Sequence, residues 1–325
     1  MIPLRSTLRH AARSLRRWLG TPHPVILMYH RVARLEHDPW ELAVSPENLD
    51  GQLAMLKRER DIVPLGWLVA RLRAGKPTYR MAVITFDDGY VDVLDEAVPL
   101  LQRHGCPATV FLPSAFLGRP DGFWWDALTR VFYATAELPR ELEIELGGTI
   151  RRFSVLPQHE DEGRSRRRAH EEVWGLLLPL EQSRRDDMLG HVLDWAGLDR
   201  RVPRNERCIT PDEAVQLSVP GLIDIGAHTM THPSLPALAA AEQLREIRGS
   251  IVALRDLLGA APTGLAYPFG HHDVATIATA AEAGLSYACT TQGRAVTGND
   301  LLRLPRLQVP DVSAAEFARR VLAYG

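Results

Sequence analysis

Residues 82–92 read AVITFDDGYVD, an apolar run that ends at two adjacent aspartates and a glycine. A continuous apolar run of this kind is typical of a strand buried on both faces of a parallel sheet. Asp-Asp-Gly is also ordinary turn chemistry, so Asp87 and Asp88 could do no more than close the strand. The alternative is a catalytic site in which the two aspartates have different roles, and the remaining sequence is needed to choose between the two interpretations.

Apolar strands and amphipathic helices alternate along most of the chain. Strand-like runs occur at PVILMYH, PATVFLP, GLIDIGAHT, TGLAYPFG and LSYACTT, and helical periodicity separates them. This alternation predicts right-handed βαβ units around a parallel sheet or barrel. Because reactive residues in such barrels gather at the C-terminal ends of the strands, the residues at those ends are the candidates for chemistry.

The interval from about 122 to 211 interrupts the alternation. ELEIELGGTIRRFSV has the pattern of a hairpin around Gly147 and Gly148, and amphipathic helices follow a charged run. We interpret this interval as an insertion on one barrel loop, lying over or beside the mouth of the barrel. The predicted organisation is a basic amphipathic helix over residues 1–23 and a barrel over residues 24–325, interrupted by the insertion.

The composition argues against several classes of protein. With 46% hydrophobic and 24% charged residues, the 325-residue chain is typical of soluble globular proteins. Its formal net charge of -2 gives no electrostatic reason to expect nucleic acid as a partner. The three cysteines are odd in number and widely spaced, which argues against a disulfide framework.

The N-terminal segment is basic and amphipathic. Leu4, Leu8, Ala12, Leu15 and Leu19 fall at helical spacing among arginines, without the apolar core and cleavage site of a secretory signal. Both a solvated packing helix and a helix lying on an anionic membrane surface fit this pattern. We therefore expect a cytoplasmic protein, with peripheral contact at the inner face of the membrane as an open alternative.

GAHTMTH places two histidines, His228 and His232, after a strand-like run. Pro233 disfavours helical backbone at His232, so both histidines are expected in the loop that leaves the strand. Two imidazoles and one aspartate from another strand end would form a set of metal ligands with positions open for water and substrate. A divalent cation would also offset the repulsion between paired aspartates, so that one could be a ligand and the other a general base.

The motifs TFDDG, HTMTH and YPFG, in this order, resemble those of the polysaccharide deacetylases of carbohydrate esterase family 4. The resemblance covers residues 25–309, apart from the insertion, and implies a distorted (β/α) barrel. It also implies metal-dependent removal of N-acetyl groups from amino sugars of a polysaccharide or a lipid-linked glycan precursor. By position, Asp87 resembles the catalytic base. Asp88, His228 and His232 resemble the ligands of a divalent metal, with Zn²⁺ expected first and Co²⁺ or Ni²⁺ as alternatives.

The sequence lacks the histidine that usually supplies the catalytic acid, because DLLRLPRLQVPD near the C-terminus contains none. LMYHRV, however, resembles the N-terminal strand of the branch that deacetylates poly-N-acetylglucosamine, where this histidine lies at the front of the chain. The resemblance therefore implies His30 as the general acid. His271 and His272, just after YPFG, are the rival candidates.

An arginine that often precedes the PPY/PPF-like motif in the family is also missing, since Ala266 occupies the matching position in LAYPFG. Arg303 or Arg306 could replace its charge near Asp87. Both departures leave room for a catalytically silent relative that binds carbohydrate without turning it over.

Several residues are candidates for contact with the substrate. The resemblance implies the backbone N–H of Phe269 in YPFG as a donor to the oxyanion, with Tyr267 beside it. Trp124 or Trp125 could stack on a sugar ring or could instead anchor the insertion, and Trp40 follows His30 closely enough to line the mouth.

The sequence leaves open a deformylase or amidase function, and it leaves open the oligomeric state. A deformylase or amidase acting on a smaller sugar conjugate would use the same residues, because the size of the acyl pocket cannot be read from the sequence. A carbohydrate is the expected substrate in either case.

Overall fold

The structure is a computed structural model that describes residues 22–155, 161–298 and 300–324. The expected N-terminal helix lies outside this part of the chain, except for its last two positions. No helix in the described ranges combines the length and the apolar character needed to cross a membrane.

The strands are short, and most of them are parallel. Their bounds are β1 Val25–Tyr29, β2 Asp61–Ile62, β3 Met81–Phe86, β4 Ala108–Leu112, β5 Glu141–Leu146, β6 Thr149–Ser154, β7 Ile223–Ala227, β8 Gly264–Ala266, β9 Tyr287–Cys289 and β10 Leu307–Gln308. The main sheet has the order β10-β1-β3-β4-β7-β8-β9, and β2 pairs with the first residues of β3. Every pairing in this sheet is parallel, as the continuous apolar runs predict.

Helices connect the strands. Their bounds are α1 Pro46–Glu59, α2 Leu65–Arg73, α3 Val98–His104, α4 Trp124–Thr129, α5 Glu162–Leu177, α6 Gln182–Ala196, α7 Pro211–Leu217, α8 Ala240–Leu258, α9 Val274–Glu282 and α10 Ala314–Arg320. The predicted alternation of strands and helices is confirmed on both sides of the interval 122–211.

The main sheet curls until its two ends approach each other. Cys289, the last residue of β9, forms a parallel bridge with Leu304, just before β10. The N–H of Thr290 donates to the carbonyl of Leu304 at 2.8 Å, and β10 in turn pairs with β1. The predicted distorted (β/α) barrel is therefore confirmed, with its two edges joined through residues 304–308.

The interval 122–211 has the mixed composition that its sequence predicts. Strands β5 and β6 form an antiparallel hairpin whose turn is Gly147-Gly148, and both glycines have positive φ, 60° and 78°. Helices α5 and α6 follow, and the indole Nε1 of Trp195 on α6 donates to the carbonyl of Glu141 on β5 at 2.8 Å. The hairpin and the helices thus pack against one another as one unit, which is inserted in the chain between β4 and β7.

Candidate active site

The C-terminal ends of four strands meet around one pocket. His30 follows β1, Asp87 and Asp88 follow β3, His228 follows β7, and Tyr267 follows β8. The pocket has a volume of about 290 Å³, and all of these residues line it. The convergence is the one expected of a parallel barrel.

Three of the candidate residues present their polar atoms to one another. Asp88 Oδ1 lies 3.4 Å from His228 Nε2 and 3.3 Å from His232 Nε2, and the two Nε2 atoms are 3.1 Å apart. All three side chains are buried. Among the described residues, they form a group of ligand atoms that lie within 4.8 Å of one another and could hold a metal ion.

The hydrogen bond of His228 to the backbone selects a tautomer that suits a cation at this position. Its Nδ1–H donates to the carbonyl of Ala266 at 2.7 Å, so that in the neutral ring Nε2 offers a lone pair toward Asp88. Burial lowers the pKa of His232 to about 4, so this imidazole is neutral. Burial also lowers the pKa of His228, but the hydrogen bond with Asp88 and the charge of Asp87 raise it by more, so its net pKa lies above the usual value. Burial also opposes ionisation of Asp88, but the two imidazoles lower its pKa below the usual range. With both rings neutral, two imidazole lone pairs and a carboxylate face one another in a buried space, which is the donor set that a divalent metal requires.

The loop after β7 brings the two histidines together through an uncommon backbone. Thr229 and His232 have positive φ, 65° and 51°, in the left-handed region that few non-glycine residues adopt. Glu246 on α8 holds this loop, because its Oε2 accepts from the N–H groups of Met230 and Thr231 at 2.9 Å each. Its Oε1 accepts from the Thr231 hydroxyl at 2.8 Å. The histidines therefore lie in a loop, as predicted.

The second aspartate, Asp87, is paired with an arginine. Arg306 Nη1 and Nη2 donate to Asp87 Oδ1 and Oδ2 at 2.7 Å and 2.6 Å, a bidentate pair in which both residues are buried. Burial raises the pKa of Asp87, but Arg306, His228 and His30 together lower it by more, so the net pKa lies below the usual value. Arg306 also donates to the carbonyl of Thr290 and to the hydroxyl of Thr85, which fixes its orientation. Arg303 instead pairs with Asp300 on the surface.

His30 lies beside Asp87 and is not a member of the group of three converging ligand atoms. Its Nε2 is 4.0 Å from Asp87 Oδ2, and the side chain is 14% exposed, so it reaches the pocket. Of the rivals, His271 lines the pocket and its Nδ1 contacts the Ser234 hydroxyl at 3.0 Å. His272 stacks on Tyr267 and donates to the carbonyl of Gly270, away from the pocket lining.

Phe269 and Tyr267 line the pocket on the β8 side. Phe269 has a φ of 57°, and its ring lies 4.6 Å from that of His232. Tyr267 is fully buried, and its hydroxyl donates to the carbonyl of Leu302 at 3.1 Å. Tyr267 therefore presents its ring, and not its hydroxyl, as a candidate contact with a ligand.

The predicted aromatic residues Trp40 and Trp125 both line the pocket, whereas Trp124 is buried behind it. The indole Nε1 of Trp125 donates to the Tyr90 hydroxyl, which donates to Asp126, at 2.8 Å and 2.7 Å. Burial raises the pKa of Asp126 to about 7. This chain of hydrogen bonds holds the Trp125 ring 4.8 Å from that of His232.

Five lining residues were not predicted from the sequence: Met28, Leu42, Trp174, Thr291 and Gln308. Met28 and Gln308 lie on the paired strands β1 and β10, so their contribution follows from the register of that pairing. Trp174 comes from α5 in the interval 122–211. Its amphipathic helix was expected, but no sequence pattern indicates that this helix reaches the pocket.

A family model described as polysaccharide deacetylase matches residues 74–138 and 191–288, which together make up half of the chain. The chain is 28% identical over 106 residues to the curated "Putative polysaccharide deacetylase YxkH" of Bacillus subtilis. That match covers 31% of this chain and only 37% of the relative.

Solved structures extend the likeness over most of the chain. The deacetylase PplD of Streptococcus pyogenes, in complex with acetate, has a TM-score of 0.59 and 18% identity, covering 93% of this chain and 99% of PplD. IcaB from Ammonifex degensii also has a TM-score of 0.59, with 16% identity over 93% of this chain and 97% of IcaB. These likenesses show the same fold. With the family model, they establish that the chain belongs to the polysaccharide deacetylase family.

Proposed function

We propose that this protein is a metal-dependent hydrolase that removes N-acetyl groups from amino sugars of a polysaccharide or a lipid-linked glycan precursor. The observation that carries the proposal is the convergence of Asp87, Asp88, His228 and His232 in one pocket, with His30 at its side. Family membership supports the same activity.

Asp88, His228 and His232 would hold the divalent metal. Two imidazoles and a carboxylate suit Zn²⁺ best, and Co²⁺ or Ni²⁺ would fit the same donors. When bound there, such an ion lowers the pKa of a water molecule and polarises an amide carbonyl. The hydrogen bond from His228 to Ala266 keeps the imidazole oriented for this role.

Asp87 is the proposed general base. The pairing with Arg306 keeps the carboxylate ionised despite its burial, and each oxygen retains a second lone pair for the attacking water. The pairing also supports an enzyme over a silent relative. Arg306 supplies a guanidinium beside the base, although Ala266 leaves the usual arginine position without one.

His30 is the proposed general acid. After Asp87 takes a proton from water, the C–N bond breaks and the departing amine needs a proton in return. His30 stands next to Asp87 and is partly exposed to the pocket, so it can reach a leaving group there. The Phe269 N–H is the proposed donor to the oxyanion, and Trp40, Trp125 and Tyr267 are proposed to contact the sugar.

The test is the release of acetate from N-acetylglucosamine oligomers by Zn²⁺-loaded protein, with formate measured in parallel from an N-formyl sugar. We expect acetate release that a chelator abolishes. Asp87→Asn should lower turnover by about 10²- to 10⁴-fold, the usual contribution of a general base, while metal content stays the same. Asp256→Asn, on the exposed face of α8, is the matched control.

Three results would contradict the proposal in different ways. Full turnover by Asp87→Asn would remove the base assignment. Formate release without acetate release would identify a deformylase. A fully metal-loaded protein that releases neither acid would favour the silent carbohydrate-binding relative.

A further inference from the structure

We propose that Trp174 is a specificity-determining residue that restricts the pocket to the terminal amino sugar of a glycan. This inference rests on the proposed deacetylase function and concerns which unit of the substrate enters the site. Trp174 lies on α5, within residues 139–190, which the family model leaves unmatched. The proposed restriction to terminal units therefore depends on a residue outside the part of the chain that the family model matches.

Trp174 joins two loops that belong to different parts of the barrel. Its ring lies 5.0 Å from that of Trp40, which follows β1, and 6.0 Å from that of Phe269, which follows β8. The contact with Phe269 is edge-to-face at 87°. We call Trp40, Trp174 and Phe269 the aromatic wall.

The sheet order shows how far the aromatic wall extends. Strands β3, β4 and β7 lie between β1 and β8 on one side of the barrel, and α5, which carries Trp174, is inserted in the chain between β4 and β7. We therefore place the wall on the side of these three strands. All three residues of the wall line the pocket. A glycan that continued past the reacting unit in this direction would have to displace Trp174.

Trp124 and Arg185 pack behind Trp174 and support its position in the aromatic wall. The Trp124 ring lies 5.8 Å from that of Trp174, and the Arg185 guanidinium lies 5.6 Å from the centre of the Trp124 ring. Arg185, on α6, is buried and donates to the carbonyl of Thr231 at 3.2 Å, next to His232. The insertion is thus fastened to the loop that carries the histidines.

The size of the pocket agrees with a single sugar unit. Its volume of about 290 Å³ is at the lower limit of ordinary ligand pockets, which range over roughly 300–1,000 Å³. Aromatic rings are suitable walls for a sugar, because they present a flat apolar face to the C–H groups of the ring. A pocket of this size, closed on one side, favours a chain end over an interior unit.

The experiment locates the free amine in hexamers of N-acetylglucosamine, β-1,4- and β-1,6-linked, after partial reaction with Zn²⁺-loaded protein. Tandem mass spectrometry should place it at one terminal unit for the wild type. Trp174→Ala should lower the preference for the terminal over interior units by about 10-fold, the effect of losing roughly one aromatic contact, and Trp174→Phe should retain most of it. Trp67→Ala, a half-exposed tryptophan on α2, is the control and should leave the pattern unchanged.

Wild-type products with interior amines as frequent as terminal ones would overturn the inference and leave the deacetylase proposal intact. An unchanged pattern in Trp174→Ala would remove Trp174 as the cause, and so would a loss of bound Zn²⁺ in that variant. Failure of the wild type to release acetate from any hexamer, despite bound Zn²⁺, would instead overturn the proposed function.

Discussion

Asp87 and Asp88 are neighbours in the chain, but their carboxylates contact different groups. Both oxygens of Asp87 are bound by Arg306, whereas Asp88 Oδ1 faces His228 and His232. The difference arises because Asp88 has a φ of 69°, which turns its side chain away from that of Asp87 at the end of β3. This separation is what the proposed division into base and ligand requires.

Gly89 completes this turn and could be predicted from the sequence. Its φ is 66°, and a Cβ at this position would lie 2.4 Å from Leu112 Cδ2. Only glycine meets both conditions without strain. The turn interpretation of Asp-Asp-Gly is therefore correct for the glycine.

Replacing Arg306 should change the pH dependence of the reaction. Because the guanidinium lowers the pKa of Asp87 while burial raises it, Arg306→Gln should raise that pKa above its usual value. The base would then be protonated at higher pH, so the acidic limb of kcat/KM should move to higher pH. Turnover should fall by about 10- to 100-fold, as expected for the loss of a charge-assisted pair.

The measurement is a pH profile of kcat/KM for the wild type, Arg306→Gln and the matched control Arg303→Gln, whose arginine pairs with Asp300 on the surface. Removing one partner of a buried ion pair also destabilises the fold, by about 3–5 kcal/mol, so thermal unfolding is measured alongside. An acidic limb at the wild-type position in a folded Arg306→Gln protein would contradict the account.

Replacing His30 should lower turnover without affecting metal binding, which would distinguish a general acid from a metal ligand. We expect His30→Ala to lower turnover by about 10²- to 10⁴-fold with no change in bound Zn²⁺, since His30 lies beside Asp87 and is not a member of the ligand group. His271→Ala tests the rival histidine, and exposed His191→Ala is the control. Loss of Zn²⁺ in His30→Ala would make His30 a ligand or a structural support.

Among the elements, the loop after β7 depends on α8, the helix that follows it in the chain. Thr229 and His232 adopt left-handed backbone, and Glu246 on α8 satisfies the N–H groups between them. Pro233 was enough to predict a loop instead of a helix. The role of Glu246 could not be predicted, because nothing in the spacing indicates which residue of α8 faces this loop.

Replacing Glu246 should weaken metal binding without touching a ligand. Glu246→Ala should raise the Kd for Zn²⁺ by about 10- to 100-fold, the usual effect of losing a group that orients metal ligands. Glu246→Gln should retain most of the affinity, because its amide oxygen can accept from both N–H groups and its NH₂ can donate to the Thr231 hydroxyl.

Calorimetric titration with Zn²⁺ and the visible spectrum of the Co²⁺-loaded protein would measure this effect. Glu242→Ala, one turn earlier on α8, is the control, since Glu242 caps the start of the helix. Wild-type affinity in Glu246→Ala would show that the loop holds its shape without this carboxylate.

The contacts of the aromatic wall could not be predicted from the sequence, although the elements that carry them could. The hairpin and the amphipathic helices of the insertion could be predicted, since local periodicity and Gly147-Gly148 determine them. The contact of Trp174 with Trp40 and Phe269 depends on how α5 packs against the barrel. That packing is tertiary and leaves no local signature.

At the scale of the whole molecule, the barrel brings together residues that are far apart in the chain. Asp87 and Arg306 are separated by 219 positions and meet because β10 returns to pair with β1, which pairs with β3. The fold class could be predicted from the alternation of apolar strands and helices. The choice of Arg306 over Arg303 could not, because it depends on which side chain turns inward before β10.

The proposed function requires that Asp88, His228 and His232 hold one divalent metal in the pocket of this barrel. The most direct test is a crystal structure of the Zn²⁺-loaded protein, with diffraction data collected on both sides of the zinc absorption edge. One anomalous peak is expected, at about 2.0–2.2 Å from Asp88 and from Nε2 of each histidine. No peak in the pocket, or a peak bound by other residues, would contradict it.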